Sequence, residues 1–403
     1  MKTVAVIPAG KFQIPFINFL RERGIRVVTL DESELAPGHS YSDFSISEKF
    51  ENISKIIEEL EDSQIRLDGV ISYCSDVGMV LSAHLRDYFG IGINQIDSAM
   101  KVTRKDFQRQ LWRESNIVTP NFVLATGVSP DHQDIPKIFD GKKIVIKPVD
   151  LAGSNGVTII EASSSHVSKY VQNAIHLSKV GIAIVEDFMP GDEYTVDGFM
   201  VSSQARVLLM TRKHKTIEGL PTVANILEAI DNKGETLSKA QFFVEKSLLA
   251  LGYSDGPFHC ELIMNQNEVI GMIEVAGRGG GSNLANRMVE VHSGQSYFEL
   301  SLSHAIGNFK TKHFHRNQPC LMYFLPSKSG VFHSFQIPEK FLSLELSKRL
   351  TYNLYVERNE IMQNASNDGG RIGDLIFEVN AFSDYQTLIE QLSFDDWVIV
   401  ENQ

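Results

Sequence analysis

The first 94 residues of the chain alternate between apolar strand patterns and amphipathic helix patterns. A β-branched run ends at Ile7, and a glycine turn, the helical pattern FINFLRERG and a second strand pattern, IRVVTLDES, follow it. A helical pattern around 50–60, the strand pattern LDGVISYC and another helical pattern after Asp76 continue the alternation. Strands separated by helices pair in parallel and are covered on both faces. We therefore expect a Rossmann-like α/β domain at residues 1–97.

The turn after the first strand argues against dinucleotide binding. It reads PAGKFQ and lacks the GxGxxG pattern that brings a helix N-terminus onto a pyrophosphate. We therefore expect the N-terminal domain to act as a scaffold and substrate platform and not as a nicotinamide-binding site.

Length, charge and cysteine content narrow the class of protein. A chain of 403 residues exceeds what one hydrophobic core usually organises, so we expect several domains. The formal net charge of -12 argues against nucleic acid as a partner. Cys74, Cys260 and Cys320 are far apart and form no CxxC pair, which favours a cytoplasmic protein without disulfides or a zinc site. The N-terminal apolar run is too short for a signal sequence or a membrane span, so no membrane partner is expected.

A glycine-containing loop follows an apolar strand in the middle of the chain. The pattern predicts one helix over Ser98–Glu114, and then KKIVIKPVDLAGSNGVTII predicts two strands around the loop Gly153–Gly156. Glycines let backbone N–H groups approach an anion, and Lys147 on the entering strand adds a positive charge. A plain hairpin with a surface lysine is the alternative interpretation. The loop is not a Walker A loop, because GxxxxGK followed by Ser or Thr is absent.

Two further patterns contain acidic residues next to apolar strands. GIAIVEDFMPGDEYTVDGFM predicts a strand, a turn and a second strand, forming either a hairpin or a crossover between domains. Glu186 and Glu193 there are candidates for contacts with an adenine amine or ribose hydroxyls, or they are solvated turn carboxylates. FHCELIM and VIGMIEVAG, separated by the polar turn NQNE, predict an antiparallel hairpin.

This hairpin places carboxylates inside apolar runs. Unpaired carboxylates are costly to bury, and two of them suit Mg²⁺, so Glu261 and Glu274 are candidate metal ligands. Arg278 follows after a short turn, either to stabilise an oxyanion or to form a structural salt bridge with a glutamate. The neighbouring Gly279 and Gly280 are expected to present backbone N–H groups to the same oxygens.

Three histidines near these motifs are ambiguous. His214 lies in the basic cluster RKHK, which faces either a phosphate or acidic substrate, or solvent. His259 is either a packed core histidine or a residue on the face of Glu261. His292 either helps to bind an amine substrate or neighbours a helix cap.

The C-terminal segment predicts a small α+β module packed on the preceding domain. CLMYFLP, GVFHSF, DLIFEVNAF and DWVIV are strand patterns, and we expect a polar helix near Ser343–Leu350.

Taken in order, the motifs TRKDFQRQL, VIKPVDLAGSNGV, VEDFMPGDEY, FHCELIM, IEVAGRGGG and VEVHSGQSYFELSLSHAIG resemble those of ATP-grasp carboxylate–amine ligases. The similarity is greatest to the L-amino-acid ligases and the biotin-carboxylase-like group. It implies an α/β and α+β multidomain fold with a pre-ATP-grasp domain at 1–97, an ATP-grasp central or lid subdomain at 98–187, an ATP-grasp catalytic subdomain at 188–309 and a C-terminal module at 310–403.

The resemblance also implies a role for each matched position. The ATP-binding set is Lys105, Lys147, Gly153, Ser154, Gly156, Glu186, Asp187, Phe188 and Glu193. Glu261 and Glu274 match the Mg²⁺ ligands, with Mn²⁺ as a substitute, and Arg278 matches the catalytic arginine. We also expect substrate contacts from Gly279, Gly280, His214 and His292. Many family members carry Asn two residues after the second metal glutamate, whereas this chain has Ala276, a departure that favours the amino-acid ligases over biotin carboxylase.

The implied activity is ATP-dependent ligation of a small-molecule carboxylate and an amine, with an amino acid as one substrate. An acyl-phosphate intermediate would form, ADP and phosphate would be released, and the product would be an amide such as a dipeptide. One alternative is a ligase that activates bicarbonate or formate, as in purine synthesis and carboxylation. Another is a nucleotide-binding regulatory module without catalysis. A homodimer is the expected assembly.

Overall fold

The computed structural model describes residues 1–93, 95–127, 135–139, 141–217, 222–265, 268–309, 316–342, 347–392 and 397–401. In this part of the chain the strands are β1 (Thr3–Ile7), β2 (Arg26–Asp31), β3 (Phe44–Ser47), β4 (Gly69–Ser72), β5 (Phe122–Thr126), β6 (Lys143–Pro148), β7 (Thr158–Glu161), β8 (Ile182–Asp187), β9 (Asp192–Val201), β10 (Gln204–His214), β11 (Ile226–Ala229), β12 (Gly256–Asn265), β13 (Glu268–Ala276), β14 (Cys320–Pro326), β15 (Gly330–Phe335), β16 (Ser347–Leu354), β17 (Ile361–Met362), β18 (Arg371–Val379) and β19 (Val398–Glu401).

The helices in the same residues are α1 (Ile14–Glu22), α2 (Ile53–Asp62), α3 (Met79–Tyr88), α4 (Ile96–Lys101), α5 (Lys105–Glu114), α6 (Ile135–Ile138), α7 (Val167–Leu177), α8 (Glu235–Ala250), α9 (Val289–Ser293), α10 (Tyr297–Ala305), α11 (Glu339–Leu342) and α12 (Tyr385–Gln391). None of these described helices combines the length and the apolar character needed to cross a bilayer.

The N-terminal sheet has the strand order β3-β2-β1-β4, and all its pairings are parallel. β1 is buried throughout because helices cover both faces of the sheet. α1 has Pro15 in its first turn, where a missing N–H costs nothing. It packs Phe16 against Tyr73, with the ring centroids 4.4 Å apart. The predicted Rossmann-like parallel sheet is confirmed.

The expected single helix over 98–114 is wrong, since α4 and α5 are separate helices. The Thr103 hydroxyl lies 3.0 and 3.2 Å from the carbonyl oxygens of Met100 and Ala99 and shares its proton between them. Arg104 then has an extended backbone and is the N-cap of α5. The backbone N–H of Lys105 then donates to the carbonyl of Val149 at 2.9 Å. The break therefore attaches the first turn of α5 to the end of β6.

A second sheet, here called the lid sheet, has the antiparallel order β5-β8-β6-β7. The predicted β6–β7 pair around the glycine loop is present, with Ile144 opposite Ile160. α7 covers one face and buries Val171 against the core of this sheet. β8 belongs to the lid sheet and β9 to the next sheet, so the segment between them is the crossover rather than the hairpin interpretation.

Within the described residues, the large sheet has eight strands in the order β13-β12-β9-β10-β11-β14-β18-β16. The predicted hairpin of FHCELIM and VIGMIEVAG is present as β12 and β13, with Glu261 directly opposite Glu274. The middle of its predicted turn, residues 266–267, lies outside the described residues. α8 packs on the sheet and buries Val244 and Leu248.

The C-terminal strands extend the large sheet. β14, β18 and β16 pair in series with β11, while β15, β17 and β19 form a small separate sheet. The prediction of a polar helix at 343–350 is wrong for 347–350, because these residues begin β16. Residues 343–346 lie outside the described residues. β16 pairs with β18 from Ser347 opposite Val379 to Leu354 opposite Gly373, and this pairing overrides the helical pattern. The large sheet thus includes strands on both sides of position 309, and the division into four domains stays a prediction.

Candidate active site

Two cavities meet on the large sheet. The lid cavity, of about 150 Å³, lies between the lid sheet and the strands β12 and β13. The sheet cavity, of about 140 Å³, lies over the large sheet and the segment that follows β13. Six of the described residues line both cavities: Ala152, Gly153, Lys213, Glu261, Glu274 and Asp368. A group bound in one cavity therefore lies next to a group bound in the other.

A buried ion-pair cluster lines the lid cavity. The Glu186 carboxylate accepts hydrogen bonds from Arg109 Nε at 2.5 Å and pairs with Lys147 Nζ at 2.7 Å. Burial alone would raise the pKa of Glu186, but the two cations outweigh burial and lower it. Burial and Arg109 together lower the pKa of Lys147 in spite of Glu186. The cluster contains two positive charges and one negative charge, so a bound anion would stabilise it.

The Glu186 side chain is not positioned for the expected contact with adenine. Both of its oxygens are engaged by the cations, so the side chain orients Lys147. The neighbouring Asp187 is also engaged, by Lys142 Nζ at 3.1 Å and Asn121 Nδ2 at 2.8 Å. Phe188 lines the lid cavity and is exposed.

The glycine loop lies at the junction of the cavities. Gly153 and Gly156 have φ of 66° and 72°, values that glycine adopts without strain. The Ser154 hydroxyl donates to the carbonyl of Thr222 at 3.0 Å, and the N–H of Asp368 donates to the carbonyl of Gly153 at 3.2 Å. The loop is therefore attached to two segments outside the lid sheet.

Lys213 joins two of the predicted acidic residues. Its Nζ pairs with Glu193 and lies 2.7 Å from Glu261 Oε1, while Lys215 Nζ lies 2.6 Å from Glu193 Oε2. Burial would lower the pKa of Lys213, but the two carboxylates raise it well above its usual value. The basic cluster on β10 thus includes a lysine that faces the site rather than solvent.

Glu261 and Glu274 form the expected carboxylate pair. Lys105 Nζ lies 2.8 Å from Glu274 Oε1. Burial would raise the pKa of Glu261, but Lys213 and His259 hold it well below its usual range, so Glu261 is ionised at neutral pH.

The donor set fits Mg²⁺, which takes one or two carboxylates and completes its octahedron with water and phosphate oxygens. In the part of the chain that the structure describes, no three His, Cys, Asp or Glu side chains are arranged to hold a metal by themselves. Ala276, at the position of the missing Asn, lines the sheet cavity. An ion at Glu261 and Glu274 would therefore need further oxygens, from water or from a nucleotide.

Arg278 lines the sheet cavity and is held by the N-terminal domain. Its Nε and Nη2 lie 3.2 and 2.8 Å from the two oxygens of Asp76, and its Nη1 donates to the carbonyl of Gly279 at 3.1 Å. Burial would lower the pKa of Arg278, but Asp76 raises it above its usual value. A salt bridge thus exists, with Asp76 rather than a glutamate as the partner, and it aligns the guanidinium at the cavity wall.

Gly279 and Gly280 serve close packing. The Gly280 N–H donates to Asp197 Oδ1 at 2.8 Å, so it is not available to substrate oxygens, contrary to expectation. A Cβ on Gly279 would lie 2.2 Å from Tyr297 Oη. Neither residue lines the lid cavity or the sheet cavity, whereas Gly281 lines the sheet cavity.

Gly279→Ala is expected to destabilise the fold by about 1–3 kcal/mol, because the added methyl overpacks a buried tyrosine. Gly281→Ala is the matched control, since a Cβ there meets no atom within 4 Å among the described residues. Urea unfolding of both variants measures the difference. Equal stabilities would contradict the packing role of Gly279.

The histidines separate into two groups. His214 Nε2 pairs with Glu228 Oε2 at 2.7 Å, and buried His292 bonds the carbonyl of Gln318 through Nδ1 at 2.8 Å. Neither histidine lines either cavity, so the structure does not bring these two predicted substrate contacts to the site. His259 does line the sheet cavity, with Nδ1 at 3.0 Å from Asp197 Oδ2.

Sequence reasoning missed three residues of the site. Arg109 lies four residues after Lys105 on α5, and this spacing, which places both on one helix face, was a usable signal. Lys213 belongs to the basic cluster RKHK, and the sequence pattern alone favours a solvated strand end for this cluster over a contact with an anion. Arg371 follows the turn NDGG and lines the sheet cavity, and no motif marks it.

Comparison with known proteins defines the class of this fold. Residues 141–286 match the family model of the ATP-grasp domain. This match includes the lid-sheet strands β6–β8, the crossover and the β12–β13 hairpin. No curated protein sequence matches the chain. The chain thus contains an ATP-grasp domain.

Solved structures extend the similarity to the whole chain. The L-amino acid ligase from Bacillus licheniformis superposes with a TM-score of 0.78 at 19% identity, covering 100% of this chain and 99% of that one. Phosphoribosylglycinamide synthetase from Anaerococcus prevotii gives a TM-score of 0.71 at 19% identity, covering 99% and 100%. N5-carboxyaminoimidazole ribonucleotide synthetase from Thermotoga maritima gives 0.70 at 16% identity, covering 100% of both chains. At these identities the likeness establishes the fold.

Proposed function

We propose that this protein is an ATP-dependent carboxylate–amine ligase. In the proposed reaction, the γ-phosphoryl group of ATP moves to a substrate carboxylate, an amine attacks the acyl-phosphate, and ADP and phosphate leave. An amino acid is one of the two substrates, and the product is an amide. A cytoplasmic location and a homodimeric assembly stay predictions.

The observation that carries this proposal is the position of Glu261 and Glu274. They are opposite each other on paired strands, and both line both cavities. Phosphoryl transfer between two bound molecules needs such a shared boundary, because donor and acceptor oxygens must approach in line across it.

We assign the nucleotide to the lid cavity. Lys105 and Lys147 line it on one side, and the glycine loop lines it at the junction with the sheet cavity. The excess positive charge of the cluster around Glu186 is matched by phosphate oxygens. Apolar side chains from both sheets, including Val145, Ile159, Ile263 and Ile273, suit the faces of a purine. The backbone at 186–188 is assigned to its polar edge, since both acidic side chains there are already paired.

Mg²⁺ held by Glu261 and Glu274 would bind the transferring phosphate oxygens and neutralise part of their charge. The protein's own contribution is a set of fixed cations around the same point. Lys105, Lys213 and Arg278 are already aligned by carboxylates, so they need little reorganisation when negative charge develops on the acyl-phosphate or the tetrahedral intermediate.

The glycine loop protects the intermediate from hydrolysis. An acyl-phosphate reacts with water, so the junction must be closed during turnover. Gly153 lines both cavities, and its carbonyl accepts a hydrogen bond from Asp368. Opening of this loop would admit the nucleotide, and its closure would cover the phosphates.

Turnover of ATP with Mg²⁺ across a panel of carboxylates and amines tests the proposed function. We expect ADP and phosphate only when a suitable acid and amine are both present, together with a product of the condensed mass. Chelation of the metal should abolish turnover. AMP as the product would contradict the acyl-phosphate route. ADP release with bicarbonate or formate would favour the alternative ligase, and tight ATP binding without turnover would favour a regulatory module.

A further inference from the structure

Arg371 lines the sheet cavity on the side formed by β18 and β14. It is the first residue of β18, and its guanidinium carbon lies 3.8 Å from the centroid of the Phe324 ring. The side chain is largely buried, and Glu261 is close enough to raise its pKa without a hydrogen bond to it. Arg371 and the carboxylate pair thus face the same small cavity from different strands.

The protein only partly satisfies this guanidinium. Nη1 donates to Ser282 Oγ at 3.1 Å, and Nη2 donates to the carbonyl of Ala224 at 2.9 Å and to Asp368 Oδ1 at 2.8 Å. Nε is buried and has no hydrogen-bond partner among the residues described. Buried charged donors are normally paired, so an acceptor is missing from this environment.

The other cations that line this cavity are better compensated. Lys213 lies between two carboxylates, and both oxygens of Asp76 engage Arg278. His259 approaches both oxygens of Asp197, at 3.1 and 3.0 Å. Among the described residues, Arg371 pairs with one carboxylate, that of Asp368, and through one nitrogen. Burial accordingly lowers the pKa of Arg371, whereas the pKa values of the other three are raised.

We propose that Arg371 binds a carboxylate of the substrate that does not react. This inference rests on the proposed ligase function and narrows its substrate class. The reacting carboxylate lies near Glu261, Glu274 and Arg278, and a second carboxylate on the acid or the amine substrate pairs with Arg371. The planar guanidinium, stacked on a ring, is preorganised for such a pair.

The rest of the cavity wall agrees with a substrate of this kind. Leu227, Leu284 and Phe324 line it together with Arg371. They provide apolar contacts for a hydrocarbon segment that separates the two polar groups of a substrate. Bicarbonate and formate have no second carboxylate and no such segment, so this site selects against them.

A purely structural role is the competing explanation. Asp368 bonds the glycine loop as well as Arg371, so Arg371 would then serve only to fix Asp368. The two explanations differ in their dependence on ligand chemistry. A structural clamp does not distinguish an acid from its amide, whereas a carboxylate-binding site does.

Calorimetric titration in the presence of Mg²⁺ and a non-hydrolysable ATP analogue tests the proposal without requiring turnover. The panel contains L-alanine, L-leucine, L-glutamate and succinate, each compared with its amides, in which one or more carboxylates are replaced. The proteins are wild type, Arg371→Lys, Arg371→Met and the charge-balanced pair Arg371→Met with Asp368→Asn. Arg349→Met is the matched control, because that arginine is exposed on the neighbouring strand β16.

In the wild type we expect one acid to bind about 10- to 100-fold more tightly than its amide, the range of a charge-assisted hydrogen-bonded pair. The ratio should fall towards one in Arg371→Met and in the charge-balanced pair, be intermediate in Arg371→Lys and be unchanged in Arg349→Met. L-Alanine or L-leucine showing this effect would identify the α-carboxylate of an amino acid, and succinate would identify a dicarboxylate.

Two results would overturn the assignment of Arg371. One is a ratio of acid affinity to amide affinity that is the same in wild type and Arg371→Met for every acid and its amide. The preference for the acid would then come from the reacting carboxylate and not from Arg371. The other is the absence of binding by every carboxylate in the panel. A different result would contradict the proposed ligase function and leave the assignment of Arg371 intact: an acid binds through Arg371, but ADP never forms with any amine.

Discussion

Arg278→Ala is expected to lower kcat by about 10²- to 10³-fold while the affinity for ATP changes little. Arg278 lines the sheet cavity and not the lid cavity, so the ground-state nucleotide does not need it. Its charge matters when negative charge develops on the acyl group. Steady-state kinetics with the substrate pair found in the turnover panel, together with ATP titration, measures the two effects separately.

The control for this variant must separate catalysis from folding. Asp76→Asn keeps the arginine but weakens the contacts that align it, so a smaller loss of kcat is expected. Arg206→Ala removes an exposed arginine of the large sheet and should change neither quantity. If Arg278→Ala lost ATP affinity and thermal stability in proportion to kcat, the interaction with Asp76 would be structural only.

The β12–β13 hairpin shows what local sequence can determine. A short polar turn between two apolar runs predicts that the runs pair as a hairpin, and this places Glu261 and Glu274 on partner strands before any tertiary contact is known. Their direct opposition also depends on two register shifts between the strands, which no sequence pattern marks. The parallel N-terminal sheet was predictable for a similar reason, since continuous buried runs separated by helices allow few other arrangements.

Other parts of the site depend on contacts that are distant in sequence. Asp76 and Arg278 are 202 residues apart, and the cluster around Glu186 joins β8 to α5 across 77 residues. No periodicity predicts such a partner. Distance in sequence also explains the expected contact of the Glu186 side chain with adenine. The motif around Glu186 marks its position, but nothing near it in the sequence indicates that Arg109 and Lys147 occupy its carboxylate.

Backbone pairing explains the errors in secondary structure. β16 is an edge strand with mostly half-buried or exposed residues, so it lacks the clear alternation of a strand with one buried face. Its polar composition gave a helical pattern, and only the partner β18 determines its conformation. Between α4 and α5, the helical pattern continues across Thr103, but the Lys105 N–H donates to the carbonyl of Val149, directly after β6, and a new helix begins there.

Glu186→Gln is expected to destabilise the protein by about 3–5 kcal/mol, the usual cost of removing one partner of a buried ion pair. The variant keeps the side-chain shape but leaves Arg109 and Lys147 buried without the carboxylate that they share. Arg109 Nη1 already lacks a partner among the described residues, so no second acceptor there can take over. Denaturant unfolding at neutral pH measures the loss.

The pH dependence of this difference identifies its cause. The folded-state pKa of Glu186 is lowered, so its contribution to stability is present above the pKa of the unfolded chain and is lost as pH falls through the folded-state value. The gap between wild type and Glu186→Gln should therefore narrow on acidification. Glu299→Gln, which breaks an exposed pair with Arg23, should cost at most about 1 kcal/mol. A loss for Glu186→Gln no larger than that of Glu299→Gln would mean that Arg109 and Lys147 do not depend on this carboxylate. Lys147 would then not be held for a phosphate by Glu186.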